Sequence, residues 1–209
     1  MQDIERLDDM AAAFSVLGRF HRAAPDEQTL LTLWELLPEW PLASDKAREG
    51  LAELAASHRE GESTDAIRRD HDRLYGDTAA AVVAPYESVH RGTEGLVFDE
   101  QTLEVRAAYR ELALKAPRLN REPDDHVGLE FDFVAQSCLR AIDALDAGND
   151  AEAAGLIWIG AAFLRDHLLP WAPEMLTTMI GEAHTHFMRG VGLLSLGALA
   201  SYEEFAAAG

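Results

Sequence analysis

The sequence predicts an all-α protein, a single-domain helical bundle of about nine to eleven helices spanning residues 1–209. Two observations carry this. Apolar residues recur three or four apart along almost the whole chain, and nowhere does a sustained apolar/polar alternation appear. A third supports it: Pro25, Pro38, Gly76, Gly148 and Pro170 stand as stop signals between the apolar stripes.

In the first segment Leu7, Met10, Phe14, Leu17 and Phe20 make one apolar stripe, which Pro25 ends. A second helix carries Leu30, Leu33, Trp34 and Leu37 and stops near Pro38. Ser44 is placed to cap a third, with Ala47, Leu51 and Leu54 inside, and Asp65 a fourth, with Ile67, Leu74 and Tyr75 inside and Gly76 as its stop. From Asp77 to about Asp99 the stripe is lost, and Pro85, Gly92 and Gly95 mark a long irregular loop of the kind that often serves function. Helical spacing resumes from Leu103 to Leu114. A second irregular link, KAPRLNREPDD, then leads into a helix with Val127, Phe131, Val134, Cys138, Ile142 and Leu145. Asp150 opens the next, with Leu156, Ile159, Phe163, Leu164 and His167 before Pro170, and two more follow over roughly 173–183 and 187–200.

Lys and Arg number 18 against 37 Asp and Glu, a formal net charge of −19. Such a field repels nucleic acid and anionic membrane surfaces. It keeps the chain solvated, and it would steer in a cationic partner over the ~8 Å that physiological salt leaves unscreened. No window approaches the ~18 consecutive apolar residues of a membrane span, and the acidic start MQDIERLDDM lacks the basic region of a secretory signal, so a cytoplasmic protein is expected. A single cysteine, Cys138, excludes an intrachain disulfide and a multi-thiolate zinc site.

Catalytic signatures are thin. Glu87 and His90 form the lone Glu-x-x-His pair, where a di-iron bundle needs two such pairs. His184 and His186 fall nearly opposite each other on a helix. No nucleophile elbow, phosphate loop or dinucleotide fingerprint occurs, and Cys138 sits on an apolar stripe, where a thiol is inert packing. No metal or cofactor is expected. The enzymatic alternative is a metal-dependent all-α hydrolase using His71, Asp72, Asp125 and His126.

The stretch REPDDHVGLEF, residues 121–131, is denser in polar groups than a helix start requires. Pro123 suits a first helical turn, and Asp124 and Asp125 suit its free N–H groups. One cap would suffice, however, and the surplus of Glu122, Asp124, Asp125 and His126 beside an irregular link points to a surface with a task.

Glu122-Pro123-x-Asp125-His126 resembles the E-P-x-D-H signature of the TorD/DmsD family of molybdoenzyme chaperones. Asp70 to Tyr75 is similar to that family's polar-x-x-R-L-aromatic helix end, Pro85 to Val89 to its P-x-E-S-V loop, and His167 to Trp171 to its H-L-x-P-W turn. The likeness covers residues from about 65 to the end and departs from the pattern at Tyr75, where phenylalanine is common. It implies an all-helical cytoplasmic chaperone, not an enzyme and without a prosthetic group. Its partner would be the twin-arginine signal peptide and folded precursor of a molybdopterin-containing oxidoreductase of the DMSO or TMAO reductase type, held until its cofactor is inserted. The chain would be a monomer or a domain-swapped homodimer.

A twin-arginine leader joins a cationic region to a moderately apolar one, so its receptor needs an apolar floor and an acidic rim. The expected site is therefore Glu122, Pro123, Asp125 and His126 beside Pro85, Tyr86 and Glu87. Asp125 would accept an arginine or backbone N–H, with Glu87 a second acceptor. His126 would orient Asp125 or donate to a peptide carbonyl, and Leu74, Tyr75 and Tyr86 would form the floor. For Leu74 the core reading is the better one, and for Tyr75 and Tyr86 the two readings are even. Burying one Leu-sized side chain is worth roughly 1.5 to 3 kcal/mol against about 0.2 to 1 for an exposed ion pair, so the apolar segment should supply most of the affinity.

Overall fold

A computed structural model describes residues 2–76, 81–92, 97, 99–117 and 123–208. Ten α-helices and no strand occur among them: α1 (Gln2–Arg22), α2 (Glu27–Leu36), α3 (Asp45–Glu60), α4 (Thr64–Tyr75), α5 (Glu87–Arg91), α6 (Glu100–Glu111), α7 (Val127–Asp146), α8 (Asp150–Phe163), α9 (Ala172–Glu182) and α10 (His186–Ala208). The all-α expectation holds. None of these helices is long and apolar enough to cross a membrane.

The stripes read from the sequence become the core. Leu7, Phe14 and Leu17 of α1, Phe131 and Val134 of α7 and Tyr202 of α10 are all fully buried, and the Phe14 ring lies 5.0 Å from that of Phe131 and 5.6 Å from that of Tyr202. Two glycine crossings set the spacing of the bundle. A Cβ at Gly128 of α7 would stand 2.5 Å from the Gly18 carbonyl oxygen of α1, and one at Gly50 of α3 would stand 3.0 Å from that of Gly190 of α10. Any side chain there would push the paired helices apart.

Several helix starts differ from those the sequence suggested. Ser44 caps α3 as expected, its hydroxyl accepting from the Ala47 N–H. Ser63, not Asp65, caps α4, because its hydroxyl is the group that reaches the Ala66 N–H. Asn149, not Asp150, caps α8. Neither Asp124 nor Asp125 lies in the first turn of α7: its cap is His126, whose Nδ1 accepts the Gly128 N–H at 3.0 Å, and Pro123 precedes the helix altogether. The stretch expected to be irregular carries the short helix α5, whose five residues are too few to show a period. After α8 the backbone widens into a π-helical turn, Leu164–Leu168, before Pro170, a feature that clusters at functional sites.

Candidate functional site

Two loops meet in a single antiparallel bridge between Tyr86 and His126. The Glu87 N–H donates to the Asp125 carbonyl at 3.0 Å and the Val127 N–H to the Pro85 carbonyl at 2.8 Å. Each loop lies next to a helix start, α5 on one side and α7 on the other, so the bridge fixes both helices relative to each other. Asp125 completes the join. It is fully buried; one carboxylate oxygen accepts the Ser88 N–H at 2.7 Å and the other the Thr102 hydroxyl at 2.7 Å. Asp125 thus caps α5 through space and ties it to α6. Beside it Asp124 pairs with Arg106, and its carbonyl accepts the Tyr109 hydroxyl at 3.0 Å.

Glu87 is equally enclosed. It is 0% exposed, pairs with Arg91, and takes the His167 Nδ1 at 3.1 Å from the π-helical turn. Arg91 continues to the Asp166 carbonyl at 2.9 Å, while the His90 ring stacks on Trp171 with centroids 5.1 Å apart. Glu130, one turn into α7, completes this buried group. It has no exposure; burial first, then the neighbouring charges of Glu87 and Asp125, push its pKa well above the ordinary carboxylate value, so it holds its proton.

Above this framework lies a cavity of about 570 Å³, lined by Arg22, Ala23, His71, Asp72, Tyr75, Gly76, Pro85, Tyr86, Ala116, Pro117, Pro123, His126 and Leu129. Of the residues expected at the site, Tyr75, Pro85, Tyr86, Pro123 and His126 share this cavity. Glu87, Asp125 and Leu74 are fully buried and do not line it. Their surroundings give Glu87 and Asp125 a different task from the one expected: with both of their oxygens engaged inside the fold, they position the cavity wall instead of facing a ligand. Leu74 is core. Glu122 lies outside the described residues. Nor is the alternative metal set assembled: His71, Asp72 and His126 line the cavity, Asp125 is enclosed beneath it, and among the described residues no three His, Cys, Asp or Glu side chains converge as metal ligands.

The expected chemistry of the cavity is also revised. An acidic rim was anticipated, yet among the described lining residues Asp72 is the one carboxylate, and Arg22 brings a cation. His126 does not bond Asp125. Its Nδ1 is spent as the cap of α7, which puts the proton of the neutral ring on Nε2. Burial, followed by the charges of His71 and Arg22, lowers its pKa to about 3, so the ring enters the cavity neutral, as an N–H donor. Burial likewise lowers the pKa of His71. Tyr75 lends the cavity a ring edge while its hydroxyl lies 2.6 Å from His21 Nδ1. On the far side of that imidazole Nε2 lies 2.8 Å from Ser195, whose own proton goes to the Val191 carbonyl. His21 is therefore an Nε2–H tautomer accepting from Tyr75, a fully buried neutral link between α1, α4 and α10, its pKa lowered to about 3 chiefly by burial.

Sequence reasoning missed Arg22, Ala23, Gly76, Ala116, Pro117 and Leu129 as lining residues. Pro117 sits in the link that was flagged, so its place was within reach; Arg22 ends a helix far upstream and carries no local signal. Cys138 is fully buried with its thiol pushed up to about 12, chiefly by burial, in keeping with inert packing.

Sequence comparison adds relatives. The family described as nitrate reductase delta subunit matches residues 38–177. The chain is 29% identical over 205 residues to a Tat proofreading chaperone DmsD from Salmonella typhi, covering 94% of this chain and 90% of that one. It is 28% identical over 107 residues to a chaperone protein TorD from Photobacterium profundum, covering 51% and 48%. Over 116 residues it is 35% identical to a TorD from Aeromonas salmonicida, covering 54% and 48%.

Proposed function

Because this chain belongs to the nitrate reductase delta subunit family, the family of the TorD and DmsD chaperones, we propose that it is a redox-enzyme maturation chaperone. It binds the twin-arginine signal peptide of a molybdopterin-containing oxidoreductase, of the DMSO or TMAO reductase kind, in the cavity at the Tyr86–His126 bridge. There it holds the precursor back from export while the cofactor is inserted. The observation that carries the reading is convergence. Three of the sequence motifs supply lining residues, and the fourth, through His167, anchors the short helix that follows the Tyr86 loop.

A cavity of about 570 Å³ is of the size that encloses a few side chains, so it reads a short segment of the leader rather than its length. Pro85, Pro117, Tyr75, Tyr86 and Leu129 offer apolar surface to the h-region. Each Leu-sized side chain buried there contributes roughly 1.5 to 3 kcal/mol. His126 donates its Nε2–H to a leader carbonyl, which registers the backbone without demanding a particular side chain. The buried groups Asp125, Glu87, Glu130 and His167 keep the two walls in place before the leader arrives, lowering the ordering cost of binding. No bond is made or broken in this scheme.

The test is titration of a synthetic twin-arginine leader against the wild type and His126→Asn, in which the amide oxygen can still cap α7 but the imidazole donor is lost. Loss of one neutral hydrogen bond, about 1 kcal/mol, should weaken binding about five-fold at unchanged stability. Failure of the wild type to bind any such leader would overturn the proposal.

A further inference from the structure

The two acids expected to meet the arginines, Asp125 and Glu87, are 0% exposed with both oxygens engaged inside the fold. Asp124 and Glu130 are 0% exposed as well, and Asp70, at 4%, accepts the His184 and Thr185 N–H groups and the Thr185 hydroxyl while pairing with Arg73. One carboxylate among the described lining residues remains open. The Asp72 side chain is 70% exposed, and its closest partner is the His71 Nδ1 at 3.7 Å, too long for a hydrogen bond. Because burial favours the neutral form of His71, that ring does not cancel the charge. Arg22 lines the same cavity, and no ion pair joins it to Asp72 among the described residues. Its described wall thus carries one carboxylate and one guanidinium.

Resting on the leader-binding reading above, we propose that Asp72 is the specificity residue of the cavity: it pairs with one arginine of the twin-arginine motif, while the Arg22 guanidinium opposes the binding of cations there. The second arginine has no carboxylate in the described wall and stays at the mouth of the cavity, in the negative field of the chain as a whole.

The experiment is a mutant cycle on the full-length protein. Its probe is a synthetic peptide of two adjacent arginines followed by a run of alanine and leucine, compared with versions in which the first, the second or both arginines are glutamine. Asp72→Asn should weaken the twin-arginine peptide by about 1.4- to five-fold, the range of an exposed ion pair, and leave the double-glutamine peptide unchanged. One single-glutamine peptide should show no further loss with Asp72→Asn, which identifies the arginine that is read. The coupling should shrink as salt is raised, and Arg22→Gln should tighten the twin-arginine peptide. Equal losses for the twin-arginine and double-glutamine peptides would overturn the assignment, as would transfer of the whole coupling to Glu122→Gln. Should the wild type bind the twin-arginine peptide but Asp72→Asn bind it equally well, Asp72 falls and the leader-binding reading stands. Binding of no peptide by the wild type overturns both.

Discussion

Replacing Glu130 by glutamine should give a stability advantage over the wild type that grows as the pH rises. Glu130 is a buried carboxylic acid faced by Glu87 of α5 and, across the loop bridge, Asp125, with Trp171 beyond; His167 and Arg91 reach the group through Glu87. In the unfolded chain it ionises at an ordinary value near 4.5, whereas in the fold its pKa lies well above that. Between those two values the native state binds one proton that the unfolded state has released, so stability falls as pH rises, by about 1.4 kcal/mol per pH unit. The loss is absent below pH 4.5 and stops growing once the pH passes the folded pKa. Glutamine has nearly the same shape and never ionises, which removes the slope. The buried neutral His21 works in the opposite sense: its folded pKa of about 3 lies below the ordinary 6.5, so its contribution is complete above pH 6.5 and is lost as the pH falls. Subtracting wild type from variant at each pH cancels the His21 term. The assay is urea unfolding followed by tryptophan fluorescence, at half-unit steps from pH 5 upward. The difference should grow by about 1.4 kcal/mol per unit, and a carboxylic-acid infrared band should disappear in Glu130→Gln. Parallel curves for the two proteins would refute the reasoning, since they would mean that Glu130 ionises normally inside the fold.

Asp125→Ala should cost about 3 kcal/mol, two hydrogen bonds to a buried charge at about 1.5 each, and not the smaller loss of a surface helix cap; the urea midpoint decides, and a loss under about 1 kcal/mol would deny its enclosure. Gly128→Ala should destabilise by about 1 to 3 kcal/mol, because the new methyl meets the Gly18 carbonyl oxygen and the Arg22 stem. Gly155→Ala, where a Cβ meets nothing within 4 Å, should instead stabilise by about 0.8 kcal/mol through helix propensity alone. Thermal unfolding of the two variants side by side checks both signs.

The fold class was legible because burial imposes a local rule. Leu7, Phe14 and Leu17 must fall on one face of a helix to be covered at all, and that periodicity survives in the bare sequence. Motif order was legible too, and it led to Pro85, Tyr86, Pro123 and His126, which the structure gathers around one cavity. Caps were harder to read: Ser63 and Asp65 offer similar oxygens, and the fold brings that of Ser63 to the Ala66 N–H.

Residues 121–131 by themselves determined that polar groups would crowd one helix entrance. Which of them would face a ligand was settled only by tertiary packing. Asp125 is drawn inward because α5 and α6 each bring it a donor, and Glu87 because Arg91 and His167 enclose it. Asp72 stays outside because no described residue comes within hydrogen-bonding distance of its carboxylate. A carboxylate's role follows from the donors around it, and apart from Arg91, one helical turn from Glu87, those donors lie tens of residues away along the chain, where no spacing rule in the sequence can reveal them.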